Sequence, residues 1–288
     1  VFLLLGWRWV RALSERFVRQ RSTARGWLTA FVLSVVQLGV ATLGLFGLAI
    51  AVYYSELVGL RIDPLLGAVI EGGFFIIVSV WLSAFVFAPA DRSFHSFSLT
   101  EAQNTKGRYI VIGLGIVFGL SFVLDEFSRY DSWSSSTNAV VYFPLVISGG
   151  YLLWRLGRLL RLHSAAVVAA ASADEVPRYV DRMYGLLGRV IILAGLGGAF
   201  IAAVGYFEAG RTIVFQSIET LVLIAFLILA QRVVAELWVV VRRGADDARD
   251  GLLPTLSGFV LLLVALPQFF RIWGTSDARI SEFWSSAR

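Results

Sequence analysis

No cysteine occurs among the 288 residues, which excludes disulfides, thiolate nucleophiles and cysteine-ligated metals. Histidine is nearly absent too: the only two are His95 and His163, both in stretches that read as hydrophilic connections, too few for a multi-histidine metal centre or a His-based triad. Charged residues make up 16% of the chain against 58% hydrophobic, a balance too apolar for an ordinary soluble domain. What remains is an integral membrane protein. Serine and aspartate are present but never arranged as a nucleophile with its base, so the sequence predicts no enzyme, no catalytic residue, no metal and no cofactor. The net charge of +5 comes from arginines clustered beside apolar segments. Retention of those segments on the cytoplasmic side explains them better than a nucleic-acid partner does.

A spanning helix needs about 20 predominantly apolar residues. Segments 27–54, 65–87, 109–124, 139–153, 184–207, 212–241 and 252–273 meet that test, and the apolar opening 1–5 reads as the end of a truncated earlier helix. The fold class expected is therefore all-α and polytopic, with seven full spanning helices arranged as hairpins. The connections support this count independently. Arg8, Arg11, Arg16, Arg19, Arg21 and Arg25 precede the first full helix, whereas the next connection sets Arg61 against Glu56 and Asp63. Basic and near-neutral connections then alternate along the chain, with Asp125, Glu126 and Asp131 in one of the acidic ones, which places every second connection in the cytoplasm. The organisation expected is a basic segment at 1–26, two hairpins at 27–162, an amphipathic cytoplasmic connection at 163–183, a third hairpin at 184–241, and a seventh helix with an interfacial helix at 252–288. A second inner connection is expected at 93–107.

Glu71 and Glu219 are the sharpest polar candidates, because an ionisable group inside a spanning helix is costly and usually faces protein or water. Each follows an Ile in a similar apolar context, "AVIEGGFFIIVSVWL" and "FQSIETLVLIAFLIL", as in a weak two-helix repeat. They fit proton or cation coupling. They more simply fit carboxylates reaching the outer interface, since Glu71 follows closely on Pro64 and Glu219 on Gly210. Arg232 and Glu236 are spaced to pair on one helix face near an inner helix end. Arg155, Arg158 and Arg161 form a basic stripe suited to anionic head groups or to simple anchoring. The Gly115 to Gly119 spacing matches the small-xxx-small pattern of close helix approach. Pro144, Pro254 and Pro267 read as kinks or helix starts. Thr137 or Asn138 reads as a helix cap. Trp27, Tyr53, Tyr54, Trp81, Tyr142, Trp154, Tyr206, Trp238 and Trp273 read as interfacial belts.

In the last stretch Ile280, Phe283, Trp284 and Ala287 fall on one face of an amphipathic interfacial helix, so Trp273, Phe283 and Trp284 join the lipid-interface candidates. The order "LPQFFRIWG", then "SDARISEFWSSAR", with the arginine-rich "RALSERFVRQR" near the start and the link "FAPADRSFHSFSLTEAQNTKGRY", resembles the large multi-helix (MscK-like) members of the MscS-like mechanosensitive channel superfamily. The resemblance implies the peripheral, tension-sensing helices of an ion channel in a bacterial inner membrane. It also implies a homo-oligomer, typically a heptamer, whose partners are membrane lipids and the ions of a pore and vestibule formed by segments missing from this sequence. The alternative reading is a secondary transporter using Glu71 and Glu219.

Overall fold

Ser134 starts the longest helix among the described residues. Its Oγ accepts the Thr137 N–H at 3.2 Å and lies 2.9 Å from the Thr137 hydroxyl, which satisfies a donor the helix itself leaves open. The cap is therefore Ser134, and the expected cap Asn138 instead takes the Ser128 hydroxyl on Oδ1 at 2.7 Å.

The computed structural model describes residues 24–55, 63–87, 101–170, 179–242 and 252–274. Among them are seven α-helices: α1 Ala24–Tyr54, α2 Asp63–Val86, α3 Glu101–Tyr130, α4 Ser135–Ala170, α5 Tyr179–Ala203, α6 Phe207–Val241 and α7 Leu252–Ile272. There is no strand among the described residues. The first six are long and apolar enough to cross a membrane, and α7 contains a shorter apolar stretch, Leu256–Ile272. The chain is thus an all-helical, multi-pass membrane protein. The expected truncated helix at 1–5, the basic segment up to residue 23 and the interfacial helix carrying Phe283 and Trp284 lie outside the described residues.

Several expected boundaries move, two of them by more than two turns, and Asp125 and Glu126, expected in an acidic connection, lie within a helix. Helix α4 runs on to Ala170, so residues 163–170 continue a helix and are not a connection. The stretch after Trp154 contains no proline, and Leu156, Leu159 and Leu160 bury one continuous face. His163 lies on that same face, only 3% exposed, with its ring 5.8 Å from that of Tyr184; it is a core residue, not part of a hydrophilic loop. Likewise α3 begins at Glu101, and Gly107, placed by the sequence in a connection, receives the ring of Phe87 where a side chain would otherwise stand.

The chain divides into two compact units, Val40–Ile218 and Val1–Gly39 with Glu219–Arg288. In the first, α2, α3, α4 and α5 pack in sequence order as antiparallel neighbours. Small residues set the seams. A Cβ on Gly119 would stand 2.6 Å from the Gly72 carbonyl oxygen, and one on Gly115 would clash with Ser79, so α2 and α3 touch backbone to backbone, as the Gly115 to Gly119 spacing predicts. Between α4 and α5 the contact is reciprocal at two levels. A Cβ on Gly150 would be 2.5 Å from the Gly195 oxygen, and one on Gly157 would be 2.6 Å from the Gly188 oxygen. Large apolar residues point the other way, Leu193, Phe200 and Val140 among them.

The turns α3–α4 and α5–α6 share one geometry. Gly205 N–H donates to Ala202 O and Tyr206 N–H to Ile201 O, closing α5 with a left-handed residue, Gly205 at φ 113°. Ser132 at φ 49° does the same for α3, with Trp133 N–H donating to Ser128 O at 3.0 Å. Both turns are short, so the polar residues beside them are drawn together.

In the second unit Trp273 donates its indole N–H to Thr220 Oγ1 at 3.2 Å, and the Gly258 side of α7 meets Gln231 of α6.

Candidate functional site at the Asp125 end of the bundle

The polar cluster of the first unit is built from three helix ends. Asp125 lies in the last turns of α3, Tyr142 in the third turn of α4 and Arg211 in the second turn of α6. Tyr142 Oη donates to Asp125 Oδ1 at 2.5 Å, and Arg211 Nη2 donates to the same oxygen at 2.5 Å. The guanidinium carbon of Arg211 stands 4.2 Å from the Tyr142 ring centroid, so one cation serves both the carboxylate and the aromatic face. Arg211 also faces Glu208 at 3.9 Å.

Tyr142 is fully buried. The sequence placed it in an interfacial belt; the structure corrects that, because a buried phenol needs a hydrogen-bond partner and Asp125 supplies it across helices. The result is a three-helix clasp. Reading the sequence segment by segment misses it, since Asp125 and Arg211 fall in different connections and look like loop charges. The available signal was Tyr142 itself, a polar atom in the apolar run "AVVYFPLV" at the place where the neighbouring hairpins carry Ile-Glu.

Glu71 stands on the flank of this clasp. It is exposed and lines an open groove of about 600 Å³ between α2 and α3, together with Gly67, Ala68, Phe122, Asp125, Glu126 and Arg129. Glu126 pairs with Arg129 at 2.5 Å and Asp125 with Arg211, so among the described residues Glu71 is the groove carboxylate with no arginine against it. Among the described residues no cluster of His, Asp or Glu is arranged to hold a metal ion.

The remaining candidates lie elsewhere. Glu219 is half-buried in the second unit, next to the Thr220 that receives Trp273. Arg232 lies over the Trp27 ring at 4.8 Å, with Glu236 buried one turn further on. Arg155, Arg158 and Arg161 are all exposed along α4. Trp273 is only partly free as a lipid anchor, because its indole nitrogen is tied to α6.

Comparison with protein-family models, with curated proteins and with solved structures finds no match to this chain.

Proposed function

We propose that this chain is the peripheral, tension-coupled transmembrane part of a mechanosensitive ion channel in a bacterial inner membrane, working as a homo-oligomer around a pore contributed by segments outside this sequence. The observation that carries the reading, beside the sequence resemblance, is how the helices meet. They join along narrow glycine seams and turn broad apolar faces outward, and almost none of the apolar length of α1 is buried within the chain. A two-state assembly responds to tension only if its states differ in what tension acts on, and a large lipid-facing perimeter per subunit increases that difference. Mismatch between helix length and bilayer thickness gives a second handle.

Patch recording under graded suction, on membranes carrying the complete protein, tests this directly. Current is expected to rise with suction and its threshold to fall in thinner bilayers; silence up to membrane rupture refutes the proposal.

The groove at Glu71 favours one other reading, a secondary transporter. Glu71→Gln separates the two. As an exposed side chain it is expected to alter stability by less than about 0.5 kcal/mol. In the channel reading the tension threshold is also unchanged. Loss of proton-coupled solute uptake in Glu71→Gln and Glu219→Gln vesicles would favour transport instead.

A further inference from the structure

The two helices of the α4–α5 pair turn from apolar to basic at the same level. The apolar run 139–154 of α4 is about 24 Å long and the run 190–203 of α5 about 21 Å, a little short of a bilayer's hydrocarbon core of about 30 Å. Gly157 faces Gly188 across the seam, so the arginines that follow each glycine, Arg158 and Arg189, come into register. Because the helices are antiparallel and both right-handed, the residue following each seam glycine projects to the same side of the pair. Arg161 lies on that side as well: a Cβ on Gly188 would stand 3.0 Å from Arg161 Cγ, so its aliphatic stem crosses the seam towards α5. Arg158 is held from behind, its guanidinium carbon 5.1 Å from the Trp154 ring centroid, and Arg155 lies over Tyr151 at 5.7 Å.

All four arginines are exposed, and no described carboxylate stands against any of them. Segments 151–165 and 183–203 contain no Asp or Glu. Concentrated positive charge at the edge of an apolar span, with aromatic rings fixing guanidinium groups, is complementary to a phosphate held at that depth.

We infer that Arg158, Arg161 and Arg189, backed by Trp154, form a binding site for the head group of an anionic phospholipid, its acyl chains lying along the apolar faces of α4 and α5. The site requires only that the helices span a bilayer and does not depend on the channel reading. Arg155, furthest from the seam, adds long-range attraction but no direct contact.

Quenching by brominated lipids tests the assignment, with the complete protein reconstituted in vesicles. The difference between wild type and Trp154→Phe isolates the signal of that one indole. Brominated phosphatidylglycerol is expected to quench it with an apparent association roughly five-fold that of brominated phosphatidylcholine. In the variant Arg158→Gln, Arg161→Gln, Arg189→Gln the ratio is expected to fall to about one, while the corresponding triple lysine variant, which keeps the charge, retains most of it. Should the glutamine variant not fold, the lysine variant still decides, because its preference must weaken as sodium chloride is raised. Equal quenching by both lipids in wild type, or a preference untouched by the glutamine changes, overturns the site. Loss of the preference on adding inorganic phosphate alone would mean that a free anion, not a lipid, is the ligand.

Discussion

Asp125→Ala is expected to destabilise the Val40–Ile218 unit by about 2–3 kcal/mol, measured as a shift in the denaturant midpoint in mixed micelles. The substitution removes one oxygen that accepts from two donors on two other helices. Tyr142 Oη is then left buried with only the long contact to the Ser121 carbonyl oxygen at 3.5 Å, and Arg211 keeps only the ring and the distant Glu208. Breaking a fully buried pair costs about 3–5 kcal/mol; partial exposure of the Asp125 and Arg211 side chains, 41% and 24%, places this one lower. Tyr142→Phe keeps the ring under Arg211 and deletes only the hydroxyl, so a smaller loss of about 1–2 kcal/mol is expected. If both variants unfold with the wild type, the clasp contributes nothing and the helix ends are held by apolar packing alone.

The other large effect is steric. Gly150→Ala with Gly157→Ala places two methyl groups against the backbone carbonyls of Gly195 and Gly188, at distances no real Cβ tolerates. Backbone cannot rotate away as a side chain would, so α4 and α5 must separate along the seam. An expected loss of about 3 kcal/mol or more follows from overpacking and from the contacts forfeited when the helices part. Gly197→Ala is the control. Nothing lies within 4 Å of its added methyl, so the change is expected to be neutral or slightly stabilising through helix propensity. Equal destabilisation at all three positions would mean that the seams are not what holds the hairpin together.

Much of the helical order was legible in the sequence because spanning length and the alternation of arginines are one-dimensional signals. The runs at 27–54, 65–87 and 252–273 differ from α1, α2 and α7 by a few residues. The Gly115 to Gly119 contact was legible for the same reason, since a spacing of four fixes a helix face. The extension of α4 through His163 was not, because Arg155, Arg158 and Arg161 interrupt the apolar run there while helix propensity does not fall, and only the buried face of Leu156, Leu159, Leu160 and His163 shows why the helix persists. The clasp was hidden for a different reason. Asp125, Tyr142 and Arg211 are separated by up to 86 residues, and nothing local distinguishes an arginine that reaches a carboxylate on another helix from one that faces water. Glu71 stood out as an acid in an apolar run, yet its neighbours Glu126 and Arg129 come from the next helix, which no reading of its own segment supplies.

Helix α4 carries Tyr142 of the clasp near one end and Arg158 about 24 Å further along the same rod. Pro144, inside the helix and two residues from the clasped tyrosine, weakens the backbone ladder close to the fixed end. The helix is therefore held at one end by polar contacts and near its basic end by the glycine seam. Because the glycine contacts at Gly150 and Gly157 bind α4 to α5 over that length, a rotation of one degree about Tyr142, which would sweep Arg158 sideways by about 0.4 Å, carries α5 with it, so the two helices turn as one body.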